Sequence, residues 1–154
     1  MNLDSTDLRI LALLQEDAGL SIADIASEVN LSQTPCWRRI QKMQENGVIR
    51  RRVALIEPAA VGLNLTVFVE IVADSHTRDW LDRFAATVLR MPAVMEVHRM
   101  AGDIDYLLRV AVADMAEFDS FYRDLITAVP MKKVTSRVAM EQVKSTTAYP
   151  IKGA

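Results

Sequence analysis

What this 154-residue chain has little of narrows its class before any motif is weighed. A single cysteine, Cys36, excludes an internal disulfide framework and fits a reducing compartment. The two histidines, His76 and His98, lie far apart, and no His or Cys spacing suits a metal, so neither a metal site nor a cofactor is expected. The five glycines are scattered rather than gathered into a phosphate-cradling loop, and no nucleophile elbow or nucleophile–base pairing is present. No catalytic residue is therefore nominated. Arg, Asp or Glu interrupts every apolar run well short of the ~20 residues that a membrane-spanning helix needs. The opening MNLDSTDLR also lacks the basic start and apolar stretch of a secretory leader. The expectation is a soluble, cytoplasmic protein with no membrane partner. With 51% of residues hydrophobic, it needs no cross-link or metal to fold.

Net charge is only −2, yet charge is unevenly placed. Residues 1–31 carry Asp4, Asp7, Glu16, Asp17, Asp24 and Glu28 against Arg9 alone. Residues 32–52 reverse this, with Arg38, Arg39, Lys42, Arg50, Arg51 and Arg52 against Glu45. One short basic segment in an acidic chain is a local electrostatic footprint for a polyanion, although a solvated helix face followed by a polar loop would look the same.

The first fifty residues read as three short helices. Asp4 is a good N-cap with Asp7 three positions on, and apolar residues then recur at Leu8, Ile10, Leu11 and Leu14 until Gly19. Ser21 caps a second helix with Ile22, Ile25, Ala26 and Val29 inward. After a break at Asn30 and Leu31, Ser32 caps a third helix that runs to Asn46 and stops at Gly47. Two helices joined by so short a turn form a helix-turn-helix. At 100° per residue, Cys36, Ile40 and Met43 fall on one narrow arc of the third helix. Thr34, Arg38, Gln41, Lys42 and Glu45 lie opposite, with Gln33 and Arg39 on the flanks. Arg can fork onto guanine, Gln onto adenine, and the remaining cations can neutralise phosphate.

Residues 48–56, VIRRRVALI, read as a strand, and 57–62 as a hinge. Strands are then expected at 65–73, 93–100, 104–113 and 134–143, with helices at 79–90 and 115–129. The order β-α-β-β-α-β places two helices on one face of an antiparallel sheet. Both parities of these strands are substantially apolar: Val67, Val69 and Ile71 alternate with Phe68 and Val72, and Leu108, Val110 and Val112 with Leu107 and Ala111. A second apolar face needs a cover, so a homodimer is expected.

The Gly-Asp-Ile-Asp run at 102–105 is the remaining polar constellation. On an ideal strand Asp103 and Asp105 share a face, and Gly102 allows close backbone approach. Such a pair could hold an ammonium group while amides take a carboxylate, as an amino-acid effector requires. From spacing alone, a plain Gly-Asp hairpin turn with solvated carboxylates is the favoured reading.

Five runs taken together resemble one family: LDSTDLRILALLQEDA, SIADIASEVNLSQTPCWRRIQKMQENGVI, the LIEPAAVGL hinge, MAGDIDYLLRV and VAMEQVKSTTAYPI. In order and spacing, over residues 2–151, they resemble the leucine-responsive/asparagine-synthase (Lrp/AsnC) transcription regulators. The resemblance implies an α+β chain. Its parts are a winged helix-turn-helix at 1–50, a strand and hinge linker at 51–63, and a ferredoxin-like βαββαβ (RAM) domain at 64–154. It implies a double-stranded DNA operator, an amino-acid effector bound between dimers, and self-association to a homodimer or octamer. Carried over by position, the DNA-binding residues are Ser32, Gln33, Thr34, Arg38, Arg39, Gln41, Lys42 and Arg51. The effector residues are Met100, Gly102, Asp103, Asp105 and Tyr106, with Thr135 and Ser136 on the neighbouring strand. Trp37 departs from the leucine that commonly follows Thr-Pro-Cys, and the TPCW, MAGDIDYLLRV and AMEQVKSTT runs are most similar to a cysteine-responsive branch. Two other readings remain: a stand-alone ligand-binding module without DNA function, and a small ferredoxin-like enzyme using the aspartates as acid and base.

Overall fold

The computed structural model describes residues 2–153, and the chain divides into two compact units, Met1–Leu55 with Val143–Ala154, and Ile56–Gln142. In the first unit, α1 (Ser5–Glu16) starts from Asp4 with a reciprocal cap: the Asp7 amide donates to the Asp4 carboxylate, and the Asp4 amide to that of Asp7. Ser21 caps α2 (Ile22–Glu28) by accepting from the Asp24 amide. The break that follows is a Schellman motif. Asn30 adopts φ 56°, its amide donates to the Ser27 carbonyl, and the Leu31 amide reaches back to Ala26. Asn tolerates this left-handed backbone, which lets α3 (Gln33–Glu45) begin only a few residues after α2 ends.

Gly47 ends α3 in the same way, with φ 72° and the Val48 amide bonded to the Met43 carbonyl at 2.9 Å. The three helices enclose a core of Ile10, Ile25, Ala26, Val29, Cys36, Ile40 and Met43. Two expectations need correction here. Ser32 occupies the N-cap position of α3 but its side chain makes no capping bond. Residues 48–56 form no strand: the segment 50–57 is irregular and exposed, with Leu55 at 72%. Its β-branched composition suits a strand, but a strand needs a neighbour to bond, and the described residues supply none. Residues 143–153, grouped by sequence with the C-terminal half, belong to the first unit, where the Gln15 side-chain amide both donates to and accepts from the Tyr149 backbone.

The second unit follows a one-turn 3-10 helix, Pro58–Val61, with β1 (Leu65–Ala73), α4 (Arg78–Val88), β2 (Val94–Arg99), β3 (Tyr106–Val112), α5 (Met115–Ala128) and β4 (Met131–Val138). The sheet is antiparallel in the order β2-β3-β1-β4, which is the expected split arrangement. Val67, Val69 and Ile71 of β1 and Leu108, Val110 and Val112 of β3 are wholly buried beneath Trp80, Phe84, Val88, Phe118, Phe121 and Leu125 of the two helices. The last strand begins and ends earlier than the expected 134–143. Its register runs from Ala73↔Met131 to Val67↔Val138, and after the Ala139 amide bonds to Thr66 the partner strand is nearly spent. Met140 is consequently fully exposed.

Gly47 offers a clean test of the helix end. A Cβ there would meet nothing within 4 Å, so only the positive φ opposes a side chain. Gly47→Ala should lower the unfolding free energy of the first unit by about 1–2 kcal/mol in a urea titration, with no change in slope.

Candidate functional site

The basic face of α3 stands where helical geometry requires. Cys36, Ile40 and Met43 have 0% exposure, while Gln33, Thr34, Arg38 and Lys42 face solvent and Gln41 is half-buried. Ser32, exposed and without a capping bond, keeps its hydroxyl available at the start of the same helix. Among the described residues, Arg38, Lys42, Arg50, Arg51 and Arg52 make no ion pair. Arg50–Arg52 line an open cleft of about 690 Å³ together with Glu16, Asp17 and Tyr149.

Arg39 is different. Its Nη1 donates to Asp4 Oδ2 at 2.7 Å and to Asp7 Oδ1 at 2.8 Å, and Asp7 is only 4% exposed. The Asp7 amide first, and this guanidinium second, hold the Asp4 carboxyl below its ordinary value. Arg39 is thus engaged by two carboxylates at the start of α1, while its side chain stays 35% exposed. A signal for this existed: Asp7 heads the row Asp7, Ile10, Leu11, Leu14, and a carboxylate in an apolar row calls for a buried cation.

In the second unit the connection between β2 and β3 is a six-residue loop, 100–105, where the sequence implied a tight turn with Asp103 and Asp105 on one face. The cause is Asp105. Its amide donates to the Ile71 carbonyl, its Oδ2 accepts from the Ala73 amide at 2.8 Å, and its Oδ1 lies 2.8 Å from His76 Nε2. Asp105 therefore braces the loop against β1, and its carboxylate is not free. Asp103, by contrast, is exposed and unpartnered among the described residues, and the amides of residues 101–104 find no acceptor among them. Gly102 sits at φ 130°, a conformation that residues with a Cβ rarely adopt. Met100 is 39% exposed, and its amide closes the loop on the Asp105 carbonyl.

The other expected effector residues lie elsewhere. The Tyr106 ring packs 4.4 Å from that of Phe84, between sheet and helix. Thr135 and Ser136 stand on β4, which neighbours β1 and not β3; they pair with Glu70 and Val69 and point to opposite faces.

Against this geometry the comparisons with known proteins are decisive. A winged helix-turn-helix DNA-binding model matches residues 3–50, and the Lrp/AsnC ligand binding domain matches residues 66–149. The chain belongs to the Lrp/AsnC family. It is 47% identical to the DNA-binding transcriptional activator DecR of Escherichia coli K12, over 97% of this chain and 99% of that protein. An AsnC family transcriptional regulator from Agrobacterium tumefaciens superposes with a TM-score of 0.92 at 53% identity, covering 96% of this chain and 97% of that one. A transcriptional regulator of Neisseria meningitidis, solved as its L-Met complex, gives 0.93 at 32% identity and covers 98% of each chain. This Lrp/AsnC chain is a DNA-binding transcription regulator with a ligand-binding domain, and no helix among its described residues is long and apolar enough to cross a membrane.

The sheet face of this regulator that carries no helices is mixed. Phe68, Val72, Leu107 and Ala111 lie among ion pairs, Glu70 with Arg137 and Glu96 with Arg109 and His98. The expected second apolar face is therefore an apolar patch within charged surroundings. His76 is the one loop-bracing residue that sequence reading missed, because nothing local links it to an aspartate 29 positions away.

The His76 hydrogen bond, then the Ala73 amide, hold the Asp105 carboxyl below its ordinary value of 3.8. A depressed carboxyl contributes its stabilisation above the unfolded value and loses it as pH falls through the lower folded one. His76→Ala should raise the Asp105 titration toward 3.8 in a carbon-detected NMR series. An unmoved midpoint would remove His76 from the brace.

Proposed function

We propose that this regulator reads its operator with the outer face of α3 and answers to an amino acid, or a related small metabolite, held at loop 100–105. The opposition of buried Cys36, Ile40 and Met43 to exposed Thr34, Arg38 and Lys42 carries the DNA half of this reading. Ser32, Gln33, Thr34, Arg38 and Gln41 meet base edges, and Lys42 and Arg51 meet phosphate. At the loop, the Asp103 carboxylate takes the effector's ammonium group, the amides of 101–104 take its carboxylate, and Met100 lies against its side chain. Asp105 serves by holding the loop open. The L-Met complex of the Neisseria regulator supports the amino-acid class. The regulator acts in the cytoplasm as a homodimer, the patch around Phe68 covered by a second copy, and dimers assemble further toward an octamer with the effector between them.

A dimer with these two phosphate-bound cations per protomer makes about four such contacts, so log K should fall against log salt with a slope of about −4. Arg38→Ala should erase the preference for operator over scrambled duplex, and Arg51→Ala should weaken both about equally. Equal losses of preference in the two variants would show that α3 meets DNA by another face.

The effector is read by thermal unfolding across the twenty amino acids. A ligand at ~100 times its Kd adds about 2.7 kcal/mol when it binds the folded state alone. Asp103→Ala should abolish the shift without changing the melting temperature of the free protein, and Asp105→Ala should lower that temperature before any ligand is added. A full shift in Asp103→Ala would place the ligand elsewhere.

A further inference from the structure

We infer that Arg39 is a positioning residue of the recognition helix: through Asp7 it sets the rotation of α3, and so where Arg38 points, without itself touching DNA. This rests on the DNA-binding reading above and goes beyond it.

The apolar stripe of α3 cannot set that rotation alone. Cys36, Ile40 and Met43 hold the helix against the core by burial, which is non-directional and tolerates small turns about the axis. Base readout does not. Side chains reach about 5–6 Å from a helix axis, so a 20° turn displaces their ends by about 2 Å, several times the latitude of a hydrogen bond. A directional contact has to supply the missing constraint.

Among the described contacts of α3, the Arg39 cluster is the one that can. Arg39 Nη1 bridges two carboxylates of the neighbouring helix start, Asp4 at 2.7 Å and Asp7 at 2.8 Å. Those carboxylates are themselves fixed: Asp4 Oδ1 accepts from the Asp7 amide at 2.8 Å, and Asp7 Oδ2 from the Asp4 amide at 3.2 Å. The groups that begin α1 therefore also hold α3. Asp7 is 4% exposed, and Arg39 is the single cation paired with it among the described residues, so turning Arg39 away would strand a buried charge. Arg38 follows Arg39's rotation as its immediate chain neighbour on the same helix.

The test uses the full chain and two duplexes: the sequence that wild-type protein enriches from a random pool, and a scramble of equal length and composition. Dissociation constants for both are measured across a salt series for wild type, Arg39→Lys, Arg39→Gln, Asp7→Asn and the Asp7→Asn/Arg39→Gln pair. The pair removes both charges, and Arg39→Lys keeps the cation on Asp7, so native circular dichroism is expected of each. Asp7 is buried on α1, out of reach of a duplex, which makes it the sharpest probe. Preference for the enriched duplex should fall about tenfold in Asp7→Asn, Arg39→Gln and the pair, with Arg39→Lys between them and wild type, at an unchanged salt slope. Undiminished preference across natively folded variants would overturn the inference and leave the cluster a stabilising role alone. Equal weakening on both duplexes, with a slope shallower by about 1.8 per dimer in Arg39→Gln, would instead make Arg39 a phosphate ligand and overturn it as well. If wild type enriches no duplex at all, the failure belongs to the DNA-binding reading and not to Arg39.

Discussion

Cys36, Ile40 and Met43 are sealed from solvent, while Arg38 and Lys42, one or two positions away, are exposed. This one-sided burial recurs throughout the chain. The sheet is covered on one face by α4 and α5, leaving Phe68, Glu70, Leu107 and Arg109 on the other. With helices this short, three or four apolar residues each are enough to seal one arc and no more. The surfaces proposed to work are those that its small cores cannot reach: the outer arc of α3, the loop beyond β2, and the bare side of the sheet.

What the sequence disclosed follows the range of the interaction concerned. Helix ends were legible because caps act within three or four residues: Asp4, Ser21, Asn30 and Gly47 stand where they act. The inward row of α3 was legible because burial repeats with the helical period. Strands were less so. Residues 48–56 have the composition of a strand and no neighbour to bond among the described residues, and the limits of β4 depend on where β1 ends. Strand identity is settled by a partner distant in sequence, so composition can nominate a strand but cannot bound it.

The candidate site divides along the same line. Arg38 and Lys42 were readable from periodicity. The engagement of Arg39 was not legible because its partners lie 32 and 35 positions upstream, at the start of another helix. That of Asp105 was not legible because its three contacts, to Ile71, Ala73 and His76, come from a strand and loop some thirty residues earlier. In both cases a charged residue that looked available to a ligand had already been engaged by the fold.

That engagement sharpens the choice of the residue left for recognition. Asp4 and Asp114 cap helices, Asp7 neutralises Arg39, and Asp105 ties its loop to β1. A carboxylate with two good donors has little further capacity to hold an ammonium group, because each lone pair given to a ligand must be taken from a bond the fold already uses. Asp103 carries no such commitment among the described residues, and it lies beside backbone amides that also lack acceptors. The two aspartates of the loop are therefore not the symmetrical clamp that their spacing implies. One is a brace, and the other, uncommitted beside amides without acceptors, is the one proposed to receive a zwitterion.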